Sequence, residues 1–169
     1  MSPTRPEREQ DCIEAPCAPD RQDTAVRSTP VTGAADLAAQ VELHLAQCRR
    51  RRATLALLCV NVDIVFSAGG EVSAHMEQRV REEVSHRIGN AVRGTDSLLR
   101  ESDRDTCVVM PGANAAVAER VGLRLERVLD GDYRVDGELL QVVVRVGGAA
   151  HPQHGTRAAD LLRRAADRE

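Results

Sequence analysis

From Asp36 onward the apolar positions switch between two periods, and each switch predicts an element. Leu37, Val41, Leu45 and Cys48 fall three or four residues apart, the spacing of one helical face. This helix ends in the run Arg49 to Arg52, which puts cations at its negative dipole end. TLALLCVNVDIVF is then continuously apolar and contains β-branched residues, which predicts a buried strand near 53 to 62. Gly69 and Gly70 break it. Val72, Met76, Val80, Val84 and Ile88 restore the helical spacing from about Glu71 to Val92. Two short strands follow, about 96 to 101 and 105 to 110, joined by a polar turn and closed by Pro111 and Gly112. Residues 113 to 129 form a further amphipathic helix with Val117, Val121 and Leu125 inward. In YRVDGELLQVVVRVGGAA the Asp136-Gly137 pair lies between apolar strands, a hairpin signal. A last helix begins near Arg157.

This order predicts an α/β (α+β) domain over 35–169, a mixed sheet flanked by helices. Residues 1–34 differ from it. They hold five of the seven prolines among charged and small residues, and their composition predicts a disordered arm.

Composition narrows the function classes. A chain of 169 residues that is 42% apolar suits one globular domain. Its apolar runs are short of the roughly 20 residues of a transmembrane helix, and its N-terminus lacks the apolar stretch of a signal peptide. The expectation is a cytoplasmic protein without membrane insertion. All 23 basic residues are arginine, yet the net charge is −3, which gives no overall attraction to nucleic acid. One Tyr and one Phe offer no stacking platform for single strands. Cys12, Cys17, Cys48, Cys59 and Cys107 are odd in number and lack a C-x-x-C pair, so no disulfide framework is expected. Cys59 and Cys107 sit in apolar runs as small core residues. Cys12 and Cys17 sit in the polar arm, where a metal or redox role is the minority reading. His44, His75, His86, His151 and His154 form no convergent ligand pattern, and solvent exposure is expected for each.

LLCVNVDIVF, RGTD, SDRDT and CVVMP, followed by VRVGGAAHP and ADLLRRAADRE, resemble in order and register the GGDEF domain of diguanylate cyclases. Those bacterial enzymes join two GTP into cyclic di-GMP. The resemblance covers about residues 40 to 168 and implies the nucleotidyl cyclase-like fold, a mixed sheet between helices. In the family, the Gly-Gly-Asp/Glu-Glu-Phe hairpin lets GTP approach the backbone, and its acid joins a first-strand aspartate in holding two magnesium ions. By that register Ser102 and Asp103 replace the glycines and Arg104 the metal-binding acid. Asp105 and Thr106 replace the final Glu-Phe, and Asn61 replaces the first-strand aspartate. Asp63 remains.

Magnesium needs hard anionic oxygens, and phosphoryl transfer needs the metal to neutralise developing charge. Arg104 puts a cation where a cation binds. At 4 Å, a unit charge and a divalent ion repel by roughly 8 kcal/mol at an effective dielectric of 20. The family's phosphate-binding Lys falls at Phe66, and its guanine-reading Asn and Asp fall at Gly69 and Gln78. The resemblance therefore implies the remnant of a catalytic site, with no enzymatic activity, no catalytic residue, no metal and no magnesium cofactor.

Diguanylate cyclases also bind their product at an inhibitory Arg-x-x-Asp motif before the hairpin. Arg93, Gly94, Thr95 and Asp96 match it in place, and the family's second arginine falls at Arg124. An arginine can fork onto guanine O6 and N7 or a phosphate, and an aspartate can accept from guanine N1 and N2. Six Arg-x-x-Asp sequences occur in the chain, so the motif's position carries the inference and its spacing does not. Arg93 could instead cap its helix and pair with Asp96. The expectation is a cyclic di-GMP receptor that signals to a protein partner. Its alternative is a ligand-independent interaction module derived from a cyclase.

Overall fold

The computed structural model describes residues 26–66, 71–101 and 105–167. Along the chain run β1 (Arg27–Val31), α1 (Gly33–Arg50), β2 (Leu55–Phe66), α2 (Ala74–Ala91), β3 (Ser97–Glu101) and β4 (Asp105–Pro111). They are followed by α3 (Ala115–Leu129), β5 (Gly131–Val135), β6 (Glu138–His151) and α4 (Ala158–Ala166). The strands form one mixed sheet in the order β1-β3-β4-β2-β6-β5. β2 lies between β4 and β6, antiparallel to both, and β1 is parallel to β3.

Alternation along β2 divides the core. Ala56, Leu58 and Val60 face α2 and α3 with Val84, Ile88 and Leu125. Leu55, Leu57 and Cys59 face α1 and α4 with Val41, Leu45 and Leu161. The expected stripes are buried at Leu37, Val41, Leu45 and Cys48 on α1 and at Val80, Val84 and Ile88 on α2. On α3 the buried line is Ala118, Gly122, Leu125 and Leu129, with Val117 and Val121 partly buried against it. Gly122 of α3 packs against β6, where a Cβ would make an ordinary contact with the Val146 side chain at 3.5 Å.

Local chemistry sets the boundaries. Ser73 accepts from Met76 N at 3.2 Å and Asn114 from Val117 N at 3.0 Å, so each caps a helix start. Asp136 and Gly137 both have positive φ, 51° and 86°, the pair that a two-residue hairpin turn requires. β2 runs past the expected end at 62, because Val62 and Ile64 continue the inward alternation against α2 and α3.

The expected arm through residue 34 is corrected at its end. Arg27–Val31 pair with Ser97–Glu101, Val31 is buried, and α1 starts at Gly33. Pro30 is tolerated in β1 because β1 is an edge strand, where a missing N–H can face away from the sheet. Residues 1–25 lie outside the described residues. Deleting 1–25 should leave Tm within about 2 °C, since a composition so poor in apolar residues offers little surface to bury. Deleting 1–32 should lower it by several degrees more by uncovering β3. Thermal melts of the two truncations check this.

β5 pairs with residues 138–142 of β6, and among the described residues no strand covers the outer edge of β6 beyond them. Side chains satisfy it instead. Val144 N donates to Asp130 Oδ1 at 3.2 Å, Val146 N to Glu126 Oε1 at 3.1 Å and Ala150 N to His154 Nδ1 at 3.0 Å. Such plugging protects an edge from adventitious pairing.

Candidate functional site

The positions expected to be the remnant of a metal site lie on β2 and β4, where Asn61 is directly opposite Asp105. The Asn61 amide donates to Asp105 Oδ1 at 2.7 Å. Asp63, two residues on and on the same face, is ion-paired with Arg145 of β6. Both carboxylates thus already have cationic or N–H partners, and Asn61 supplies an amide where the metal chemistry asks for an anion. Among the described residues no cluster of three or more His, Cys, Asp or Glu is arranged to hold a metal ion. This donor set does not fit magnesium. Ser102, Asp103 and Arg104, together with Gly69, lie outside the described residues.

A cavity of about 690 Å³ opens between α2 and strands β1, β2, β3 and β4, with Asp105 itself in its lining. Thr106 and Gln78 line it, and the Gln78 amide is held by Glu82 at 3.1 Å. Arg81 and Arg100 also line it, and the sequence reading missed both. Arg81 bonds Glu77 through Nη2 at 3.0 Å, while its buried Nη1 has no acceptor among the described residues. The available signal was an arginine between Val80 and Val84, beside a buried stripe and four residues after Glu77.

Arg93, Asp96 and Arg124 do come together, where the end of α2, the start of β3 and the middle of α3 meet. Asp96 is 5% exposed. Its Oδ2 accepts from Arg93 N at 2.9 Å, and its own N–H donates to Arg93 O at 2.9 Å. This reciprocal pair closes the turn after α2. Burial pushes the Asp96 carboxyl above its ordinary value, against the Arg93 N–H and the charges of Arg93 and Arg124, which pull it down. Arg124 Nη2 donates to Ala91 O. It thereby supplies a cation at the end of α2, whose last turn has no basic residue of its own. Arg93 is exposed, and its guanidinium forms no ion pair among the described residues.

The histidines are more engaged than expected. His44 is half-buried, and burial lowers its pKa, with the Arg27 charge adding to the shift. His151 and His154 bond the backbone of their own loop, at Gly155 and Ala150. Only His75 and His86 are exposed as expected. Cys59 and Cys107 are buried core residues as expected.

No protein-family model matches the chain. The cyclic di-GMP phosphodiesterase NbdA of Pseudomonas aeruginosa is 25% identical over 122 residues, covering 72% of this chain. That match spans 16% of NbdA, so the chain corresponds to about a sixth of that protein. Among solved structures, a sensory box/GGDEF family protein from Caulobacter crescentus superposes with a TM-score of 0.67 at 21% identity, over 78% of this chain and 86% of that one. The GGDEF domain of PA1120 (YfiN or TpbB) from Pseudomonas aeruginosa gives 0.67 at 22% identity, over 85% and 87%. The chain has the fold of GGDEF domains.

Proposed function

We propose that this chain is a catalytically inactive GGDEF-like domain that receives cyclic di-GMP at Arg93, Asp96 and Arg124 and passes the signal to a protein partner. The carrying observation is the convergence of two arginines and a buried aspartate at one turn, with the Arg93 guanidinium exposed. Arg93 forks onto guanine or a phosphate, Arg124 adds a second cation, and Asp96 accepts from the guanine edge. The likeness to a cyclic di-GMP phosphodiesterase supports a role within cyclic di-GMP chemistry. Among the described residues no helix is long and apolar enough to cross a membrane.

The alternative is a ligand-independent interaction module. It is favoured by the work Asp96 and Arg124 already do, one closing a turn and the other capping α2. Labelled cyclic di-GMP separates the two: the receptor captures it, and excess unlabelled cyclic di-GMP displaces it while GTP does not. No capture at micromolar protein would favour the interaction module.

Inactivity rests on Asn61 held against Asp105 and on Arg104 at the family's acidic position. Restoring both carboxylates, Asn61→Asp with Arg104→Glu, should still give no cyclase activity. Ser102 and Asp103 would still replace the glycine pair, and Phe66, Gly69 and Gln78 would supply neither the lysine nor the guanine contacts. Groups that act as a unit are strongly non-additive, so a partial repair recovers little. The assay is cyclic di-GMP formation from GTP and magnesium. Turnover by the unmodified chain would overturn the inactive reading.

A further inference from the structure

The pairing of β2 with β4 sets Cys59 directly opposite Cys107, and their Sγ atoms stand 2.9 Å apart. Opposed residues on antiparallel strands have Cα atoms about 4.5 or 5.5 Å apart, and both distances lie within the roughly 4.4 to 6.8 Å that a disulfide spans. Closing the remaining ~0.9 Å to a bond of ~2.05 Å requires side-chain adjustment and no change of register. Both residues belong to the apolar layer beneath α1 and α4, and both are free thiols in the structure. The third described thiol, Cys48, is on α1.

We propose that Cys59 and Cys107 are a redox-modification site that closes to a cross-strand disulfide when the chain meets a hydroperoxide. Cys59, 9% exposed against 1% for Cys107, reacts first. It gives its proton to water, its sulfur takes the terminal peroxide oxygen, and the peroxide O–O bond breaks to leave an alcohol, or water from hydrogen peroxide. The product is a sulfenic acid on Cys59. The Cys107 sulfur then attacks the Cys59 sulfur and loses its proton, and the sulfenic oxygen leaves as water. In sum, two thiols and one hydroperoxide give one disulfide, one alcohol and one water.

The contact with Cys59, then burial, then the Asp105 and Glu101 charges push the Cys107 thiol far up. Cys107, the more deeply buried of the two, is the resolving partner, and its raised thiol makes closure slow. The bond ties β2 to β4 two residues from the Asn61–Asp105 pair and links positions 48 apart in sequence. Constraining an unfolded loop of that length should raise Tm by roughly 5 to 12 °C.

The test treats the full chain with excess hydrogen peroxide, unfolds it with an alkylating agent present, and digests it without reduction. The expected result is a linked Cys59–Cys107 peptide pair, two hydrogens lighter than the separate peptides, with a Tm rise that dithiothreitol reverses. Recovery of both residues as alkylated thiols while Cys12 and Cys17 are oxidised would overturn the proposal, as would linkage of Cys107 to Cys48. In Cys59→Ala the oxidant-dependent Tm rise should vanish, and a rise that persists counts against the pair. Mapping of the unmodified chain decides the question even if that variant folds poorly.

Discussion

Gly147→Ala should cost about 2 to 3 kcal/mol of stability and lower Tm by roughly 6 to 10 °C. Gly147 is buried on β6 opposite Cys59, on the face covered by α4. A Cβ there would stand 1.9 Å from the Ala165 carbonyl oxygen. That oxygen is backbone, so no rotamer change relieves the clash, and α4 must lift from the layer formed by Ala158, Leu161 and Ala165. The neighbouring glycine is the control. A Cβ on Gly148 would stand 3.1 Å from the end of the Leu58 side chain, with the Ala118 Cβ and the Leu57 carbonyl oxygen at an ordinary 3.9 Å. Gly148→Ala should therefore stay within about 1 kcal/mol of the parent, since a strand gains from losing a glycine. Melts of the two variants decide it, and equal losses would mean that α4 does not seat on Gly147.

The second large effect is on binding. Arg93→Ala should weaken cyclic di-GMP binding by about 1.5 to 3 kcal/mol, a factor of roughly 10 to 150, by removing charge-assisted hydrogen bonds. It should leave stability nearly unchanged, because Arg93 is exposed and holds its turn through backbone atoms. Asp96 divides its two roles between two substitutions. Asp96→Asn keeps an oxygen for Arg93 N, so the turn should hold while the affinity falls. Asp96→Ala removes the turn bond as well, and should lose about 1 to 2 kcal/mol of stability in addition. Affinity should also fall on acidification. Burial raises the Asp96 carboxyl, so its charge is lost at a higher pH than for an ordinary aspartate. Titrations at several pH values, with a melt of each variant, check both halves.

Much of the fold was legible because long segments carry one period each. The stripe on α2 and the Asp136-Gly137 turn are local signals, and both elements stand where they were expected. β1 was not legible. RSTPV buries only Val31, and its partner β3 is some seventy residues away in sequence. Nothing local distinguishes such an edge strand from an arm. The far end of β2 past residue 62 was not placed from the sequence, because its extent is set by pairing with β6 through Phe66, which no local pattern encodes.

The candidate site was legible by position and opaque in detail. Register against a family placed Arg93, Asp96 and Arg124, and they do meet. That Asp96 is buried against Arg93 N, and that Arg124 caps α2, depends on how α3 packs, which no local pattern encodes. The same holds for the thiols. Their apolar neighbours predicted burial, but facing each other across β2 and β4 is a matter of register between strands some fifty residues apart.

Calorimetric titration of cyclic di-GMP into the unmodified chain, with Arg93→Ala alongside, tests the receptor reading most directly. The account predicts saturable binding in the micromolar range or tighter for the unmodified chain, and at least a tenfold loss for Arg93→Ala with its melting curve unchanged. Absence of binding to the unmodified chain, or equal affinity in the folded variant, would contradict it.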